Sequence, residues 1–188
     1  MMLKIPKQIV GKKVILRQLK KSDAVSIYHY AKDRAITKWT THIPYPYPRG
    51  AALIFIRRSA QQIKAGKLVN YGITLKGTDE VIGLIGLNKI KIDKEMQRAE
   101  IGYWLGKPFW GSGIMSEAVK LMLDLAFHNL KLHRVYAGVF QSNPASLRVL
   151  KKVGFIQEGL MREVRFRYGK WHTVVGMSML KREYERRT

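Results

Sequence analysis

AEIGYWLGKPFWGSGIMSEA, residues Ala99–Ala118, is the stretch on which the reading of the chain turns. Its first part, Ala99–Leu105, is apolar, β-branched and aromatic, bounded by charge before and by Gly106 after, as a strand is. Its last part opens a helix. Ile114, Ala118, Leu121, Met122 and Leu125 recur at i, i+4, i+7, i+8 and i+11, one core-facing stripe. Between the two sits Gly111-Ser112-Gly113. A strand, a glycine turn and a helix in immediate succession aim free N–H groups and the positive end of the helix dipole at one point, which suits a phosphate. Glycine suits the turn because a Cβ would block close approach and restrict φ.

Two phosphate motifs fail on these residues. A P-loop needs G-x-x-x-x-G-K-[ST], but Gly102 and Gly106 are one residue too close and Pro108 stands where Ser or Thr belongs. A dinucleotide fingerprint needs G-x-G-x-x-G, but Gly111 and Gly113 are followed by Ser116. On the glycines alone, a plain turn and helix cap remains open. A second constellation lies further on. A strand over Val135–Phe140 ends in Asn143-Pro144-Ala145-Ser146, and a short helix then runs to Gly154-Phe155.

Working outward, strand signals fall at Val14–Leu19, Val69–Leu75, Val81–Ile90, Ala99–Leu105, Val135–Phe140, Phe155–Phe166 and His172–Leu180. Helix signals fall at Ser22–Lys32, Gly50–Ala65, Gly113–Asn129 and Pro144–Lys152, with Ser22 and Asn143 as N-caps. Strands cluster mid-chain, with helices before and after, which is α+β (mixed α/β) rather than a doubly wound repeat. Pro44–Pro48, PYPYP, is neither helix nor interior strand and reads as a stiff loop presenting aromatics to a pocket. We expect one domain over 1–188, with a core of about 13–182 and short basic ends.

Composition narrows the classes. The chain of 188 residues is 46% hydrophobic and 26% charged, a folding composition. Cysteine is absent, which excludes disulfides, thiolate metal sites and a cysteine nucleophile. No apolar run approaches the roughly 20 residues of a membrane span. The start MMLKIPKQIVGKK lacks a secretory apolar core, so a cytoplasmic location is expected. The five histidines, at 29, 42, 128, 133 and 172, are not spaced as metal ligands, and no metal is expected. Lys plus Arg is 35 against 13 acids, a net +22. Such a chain attracts polyanions. Residues 1–21 hold seven basic side chains and no acid, from Lys4 to Lys21, and read either as a polyanion contact or as a solvated lysine-rich surface.

Together these motifs resemble the GNAT N-acetyltransferase superfamily, in its RimJ/RimL-like branch of ribosomal-protein N-terminal (alanine) acetyltransferases. The resemblance spans nearly the whole chain: LRQLKKSDA (Leu16–Ala24), the opening stretch, NPASLRVLKKVGF (Asn143–Phe155) and EGLMREVRFRYGKW (Glu158–Trp171). It implies the GNAT fold: a seven-stranded, mostly antiparallel sheet with four helices. Its fourth and fifth strands splay around acetyl-CoA as co-substrate. By resemblance, the backbone of Tyr103, Trp104 and Leu105 binds the pantetheine arm. Trp110, Gly111, Ser112, Gly113, Ile114 and Met115 take the pyrophosphate. Asn143 bonds the pantetheine, and the Ser146 hydroxyl faces the thioester sulfur. Where many relatives carry a tyrosine general acid, four residues before Gly-Phe, this chain has Leu150, which cannot give a proton; Ser146 is then the catalytic candidate. Pro108 replaces the superfamily's usual Arg or Gln, as its branch tolerates, and His172 stands where some relatives have an acid.

The chemistry implied is direct attack of a neutral amine on the thioester in a ternary complex. The tetrahedral oxyanion then needs a donor, such as a backbone N–H near Leu105. An α-amine has a pKa of about 8 and lysine about 10.4, so a protein N-terminus needs only a weak base through water. Glu100 and Glu163 are the candidates, and each could instead pair with a surface cation. Trp39, His42 and Tyr45 read as substrate-pocket wall or as ordinary packing and surface. Three readings compete: an acetyltransferase of protein N-termini such as those of ribosomal proteins, one of small amines such as polyamines or aminoglycosides, and a non-catalytic RNA- or ribosome-binding protein. A +22 field repels polyamines and suits rRNA phosphate. No membrane partner is expected, and the assembly is a monomer or a homodimer.

Overall fold

In the computed structural model, which describes residues 5–187, the apolar runs pair into one sheet. Its strands are β1 (Gln8–Val10), β2 (Val14–Arg17), β3 (Val69–Leu75), β4 (Gly83–Ile92), β5 (Gln97–Leu105), β6 (Arg134–Phe140), β7 (Ile156–Arg167) and β8 (Lys170–Leu180). Their spatial order is β1-β2-β3-β4-β5-β6-β8-β7. The helices are α1 (Ala24–Ala31), α2 (Arg34–Thr37), α3 (Ala51–Lys64), α4 (Ile114–Asp124), α5 (Pro144–Val153) and α6 (Lys181–Glu185). The sheet has one strand more than the seven expected: β1, of three residues, pairs antiparallel with β2 on the outer edge. The longer helices α1, α3, α4 and α5 stand where the sequence placed them, and α2 and α6 are short additions.

Period-2 alternation decides which face each helix covers. On β5, Ala99, Ile101 and Leu105 join the main core, with Tyr103 packed at its margin, against α4 and α5. Trp104 faces the other way, into a smaller cluster with Ile27, Ala52, Ile56, Val81 and Leu84 under α1 and α3. The α4 stripe buries Ile114, Ala118 and Met122, while Leu121 lies half-buried at its margin. The helix expected to reach Asn129 is α-helical only to Asp124; a wide π turn, Leu125–Asn129, follows and buries Leu125, Ala126 and Phe127.

One junction in the sheet is parallel. β5 and β6 pair only through Arg98↔Arg134, Ala99↔Val135 and Glu100↔Tyr136. Beyond Glu100 the two strands diverge. β5 keeps its antiparallel partner β4 as far as Leu105, and β6 keeps β8 as far as Phe140. A wedge therefore opens between the carboxyl ends of β5 and β6, with the N-terminus of α4 on one side and that of α5 on the other.

The basic amino-terminal tract is partly consumed by the fold. Lys4 lies outside the described residues. Arg17 is buried and forks onto both carboxylate oxygens of buried Asp23, at 2.7 and 2.9 Å. Arg17 and Lys20 also pair with Asp79, at 2.6 and 2.7 Å. Asp23 additionally receives the Lys20 N–H at 2.6 Å. That carboxylate, not Ser22, starts the 3-10 turn Lys21–Asp23 leading into α1.

Candidate active site

The loop from β5 to α4 begins with a 3-10 turn, Lys107–Phe109, that commits the Phe109 and Trp110 N–H groups to the carbonyls of Gly106 and Lys107. The row of free donors therefore starts after Trp110. Gly111 and Gly113 sit at φ +77° and +80°, which only glycine adopts without strain. A Cβ at either would meet no atom within 4 Å, so both border open space. Among the described residues, the Gly111, Ser112 and Gly113 N–H groups have no acceptor. The first turn of α4 adds those of Ile114, Met115 and Ser116, which no intrahelical carbonyl reaches.

The loop is braced from outside. Ser112 Oγ donates to the Phe109 carbonyl at 2.6 Å, and Lys13 Nζ to the Ser112 carbonyl at 3.2 Å. The Glu117 carboxylate accepts the Lys13 N–H at 2.8 Å, which fastens the β1–β2 turn to α4. Trp110 Nε1 donates to the Leu105 carbonyl at 2.7 Å, folding the indole back over the end of β5.

Across the wedge, Asn143 caps α5. Its Oδ1 accepts the Ser146 N–H at 3.2 Å, which leaves the Asn143 amide NH₂ free as a donor. Ser146, in the first turn of α5, places Oγ 2.9 Å from the Tyr103 hydroxyl. The wedge is thus bridged at its α4/α5 side by a hydroxyl pair joining β5 to α5. Burial pushes the Tyr103 phenol up to about 12, only partly offset by the bond to Ser146. Leu150, where a tyrosine acid was absent from the sequence, is fully buried core.

A second cluster, where the substrate-wall residues were expected, gathers around the end of α2 and the segment between α2 and α3. Arg167, at the β7–β8 turn, donates to the carbonyls of Thr37 and Thr41 at 3.3 and 3.4 Å, and to that of Ile43. The Tyr168 hydroxyl donates to Thr37 Oγ1 at 2.8 Å. Tyr45 lies edge-on to Tyr168, with the Arg34 guanidinium over both rings. Tyr45, Pro46 and Tyr47 face Tyr28, His29, Lys32 and Asp33 around a depression of about 540 Å³. Trp39, half-buried beneath Lys38, and exposed His42 do not line it. Of the two carboxylates, Glu100 is paired with Lys89 at 2.7 Å. Glu163 is exposed at positive φ within the irregular register between Met161 and Arg165, and it has no ion pair among the described residues. Neither is hydrogen-bonded to Ser146 or Tyr103. His172 is half-buried against Phe140, its Nε2 3.2 Å from the Arg167 carbonyl.

The Tyr103 side chain and the Arg167–Tyr168 pair lie inside the quoted motif stretches, but nothing in the spacing announced their contacts with Ser146 and Thr37. One signal existed: Tyr103 continues the inward alternation of Ala99 and Ile101, and an inward tyrosine needs a partner for its hydroxyl.

Residues 13–156 match the GNAT acetyltransferase domain. The chain belongs to that family. Over 172 residues, 92% of this chain and 95% of the relative, it is 37% identical to the protein named uncharacterized N-acetyltransferase p20 of Bacillus licheniformis. Two Escherichia coli K12 enzymes match about half of the chain: ribosomal-protein-serine acetyltransferase (35% over 88 residues, 47% of this chain and 48% of that one) and spermidine N(1)-acetyltransferase (28% over 105 residues, 56% and 55%). The fold superposes on Mycobacterium smegmatis RimJ in complex with CoA-disulfide with a TM-score of 0.84 at 24% identity, covering 94% of this chain and 88% of that one. The family assigns N-acetyltransferase activity, and the mixed α/β sheet described above is its fold.

Proposed function

We propose that this acetyltransferase moves the acetyl group of acetyl-CoA onto the N-terminal α-amine of a protein such as a ribosomal protein, by direct attack in a ternary complex. The observation that carries the cofactor part is the row of unpartnered N–H groups from Gly111 into α4, opening beside the β5–β6 wedge. Those donors suit the pyrophosphate. The edge of β5 over Tyr103–Leu105 has no strand partner, although Trp110 Nε1 takes the Leu105 carbonyl expected for the pantetheine; the donors and acceptors left on that edge and the free Asn143 amide suit the pantetheine arm, and Ser146 then lies at its thiol end. Bound acetyl-CoA supplies the thioester; the chain supplies the donors, the wedge and the hydroxyl at the leaving sulfur. The whole of about 13–182 acts as a single domain in this reading.

For the acceptor, two observations favour a protein N-terminus over a polyamine. The chain is +22, and only two carboxylates, Glu100 and Glu163, were candidates to face an amine. Glu100 is already neutralised by Lys89. Asp33 lines the depression beside Lys32 and already accepts the Ala35 N–H, so a polycation meets little acidity there, whereas a neutral α-amine needs none. The match to a ribosomal-protein-serine acetyltransferase points the same way, and the match to a spermidine acetyltransferase supplies the rival. The exposed cations left over from the fold fit docking on rRNA phosphate in the cytoplasm.

The test has two stages. Calorimetry with acetyl-CoA at low and high salt on nucleic-acid-free protein should give one saturable site that persists at high salt. Release of CoA thiol is then followed with peptides beginning in Ser or Ala and, in parallel, with spermidine. Faster turnover of spermidine than of every peptide would overturn the acceptor assignment. Binding that vanishes with salt would overturn the cofactor site and favour the RNA-binding reading.

A further inference from the structure

We infer that the Tyr103 side chain is a positioning group for Ser146: it donates to Ser146 Oγ and thereby turns the serine's own hydrogen toward the thioester sulfur. The inference rests on the reading that places the cofactor thiol against Ser146. Its geometric basis is the 2.9 Å contact between the two hydroxyls, which joins β5 to α5 across a separation of 43 residues. The Tyr103 hydroxyl is 3.4 Å from the Ser146 carbonyl, the weaker of its two contacts.

The direction of the bond follows from acidity. The geometry lets either hydroxyl donate; a phenol is a far stronger acid than an aliphatic alcohol, so neutral Tyr103 is taken as the donor and Ser146 Oγ as the acceptor. Each hydroxyl has one hydrogen. With the phenol's hydrogen spent on Oγ, the serine's is left unclaimed, and the staggered position it would share with Tyr103 is filled. Without Tyr103 the serine hydroxyl samples about three staggered positions. With it, the hydrogen is held in those that face the wedge, and the bond it makes is strengthened by the bond it receives.

No proton leaves Tyr103. Burial holds the phenol near 12, well above an alkyl thiol at about 8.5, so transfer from Tyr103 through Ser146 to the thiolate is uphill. The step balances without it. The amine nitrogen forms the new bond to the carbonyl carbon, the C–S bond breaks, and sulfur leaves with the electron pair as a thiolate. The ammonium proton passes to water or a base. Ser146, aimed by Tyr103, stabilises the thiolate by donating a hydrogen bond to it.

The experiment needs no acceptor. Binding of CoA is compared with binding of desulfo-CoA by calorimetry from pH 6.5 to 9.5, for the unsubstituted protein, Tyr103→Phe, Ser146→Ala and the double variant. If Ser146 lowers the bound thiol's pKa by about one unit, the ratio of the two affinities rises about tenfold as pH climbs through the free thiol's pKa. Ser146→Ala should abolish that rise. Tyr103→Phe should cut it to about threefold, and the double variant should match Ser146→Ala alone. A full rise in Tyr103→Phe beside a flat Ser146→Ala overturns the positioning role and leaves the serine reading intact. An undiminished rise in Ser146→Ala, or a flat unsubstituted protein, overturns the serine reading itself. Losses that add in the double variant also overturn the positioning role, since Tyr103 would then act independently of Ser146. Thermal melts of the variants, which lack one hydroxyl oxygen each or two in the double variant, should coincide within a few degrees. In turnover assays Tyr103→Phe should lower kcat several-fold while leaving KM for acetyl-CoA in place.

Discussion

Substituting Gly113 by alanine separates two functions of one residue. At φ +80° an L-residue costs about 1–2 kcal/mol of backbone strain. The new Cβ meets no protein atom within 4 Å, so no steric term adds to it. Reduced freedom of the unfolded chain offsets about 0.4–1 kcal/mol. The net loss, about 1 kcal/mol, lowers Tm by roughly 2–4 °C for a domain of this size. Gly77, in the turn between β3 and β4, is the internal control: it has φ +85° and equally open surroundings, far from the loop. Gly77→Ala should cost the same stability. Only Gly113→Ala should weaken acetyl-CoA, because its methyl group occupies the space the phosphate would fill. Loss of one hydrogen bond to a charged group is worth about 1.5–3 kcal/mol, or roughly 10- to 150-fold in Kd. Denaturant melts measure the first quantity and calorimetry the second. If Gly113→Ala binds acetyl-CoA as tightly as Gly77→Ala does, the loop is not a phosphate cradle.

Three other outcomes follow from the geometry. Asp23→Ala removes the buried carboxylate on which Arg17 forks but leaves the Asp79 contacts, and should cost about 3 kcal/mol, the low end for a broken buried pair, in denaturant melts; Lys20→Ala, at an exposed pair, should cost under about 1 kcal/mol. Burial raises the phenol of Tyr71 to about 12, while its hydroxyl donates to the Pro6 carbonyl at 2.6 Å. A raised folded pKa gives stability that is complete below the unfolded value near 10 and lost as pH rises through 12. Tyr71→Phe should therefore flatten the fall in stability between pH 10 and 12, and an unchanged alkaline slope would refute this. Arg167→Ala releases the Thr37 carbonyl at the end of α2 and the Thr41 and Ile43 carbonyls of the segment after it; it should raise KM for the acceptor several-fold with acetyl-CoA affinity unchanged, and the reverse pattern would place the clasp on the cofactor side.

The parts of the fold legible in the sequence are those with their own periodicity. β3 matches its expected bounds at both ends, and α3 and α5 lie within a residue of theirs, because apolar spacing and the Asn143 cap mark them locally. The three-residue β1, the four-residue α2 and the short α6 lack the length for a period to show. Ser22 was a reasonable cap by type, but Asp23 is drawn back to Lys20 by the same carboxylate that Arg17 grips, a contact sequence spacing does not reveal. The glycine turn between β5 and α4 was legible because strand, glycines and helix are contiguous. The donor row was overestimated by one member, since the 3-10 turn consumes the Trp110 N–H. The pairing of Tyr103 with Ser146 and the clasp of Arg167 on Thr37 join segments 43 and 130 residues apart, and only the folded chain brings them together.

The three-pair seam between β5 and β6 also has a mechanical meaning. The sheet is two slabs, β1–β5 and β6–β8–β7, joined edge to edge over three residues where β6 and β8 are joined over seven. A ligand that lies in the wedge and bonds to both margins is a cross-strut between the two slabs. Its binding energy is then also folding energy: at a hundredfold excess over Kd it adds about 2.7 kcal/mol to the stability of the whole. With the co-substrate placed there as proposed, its supply would set how long each copy of the enzyme endures as well as how fast it works.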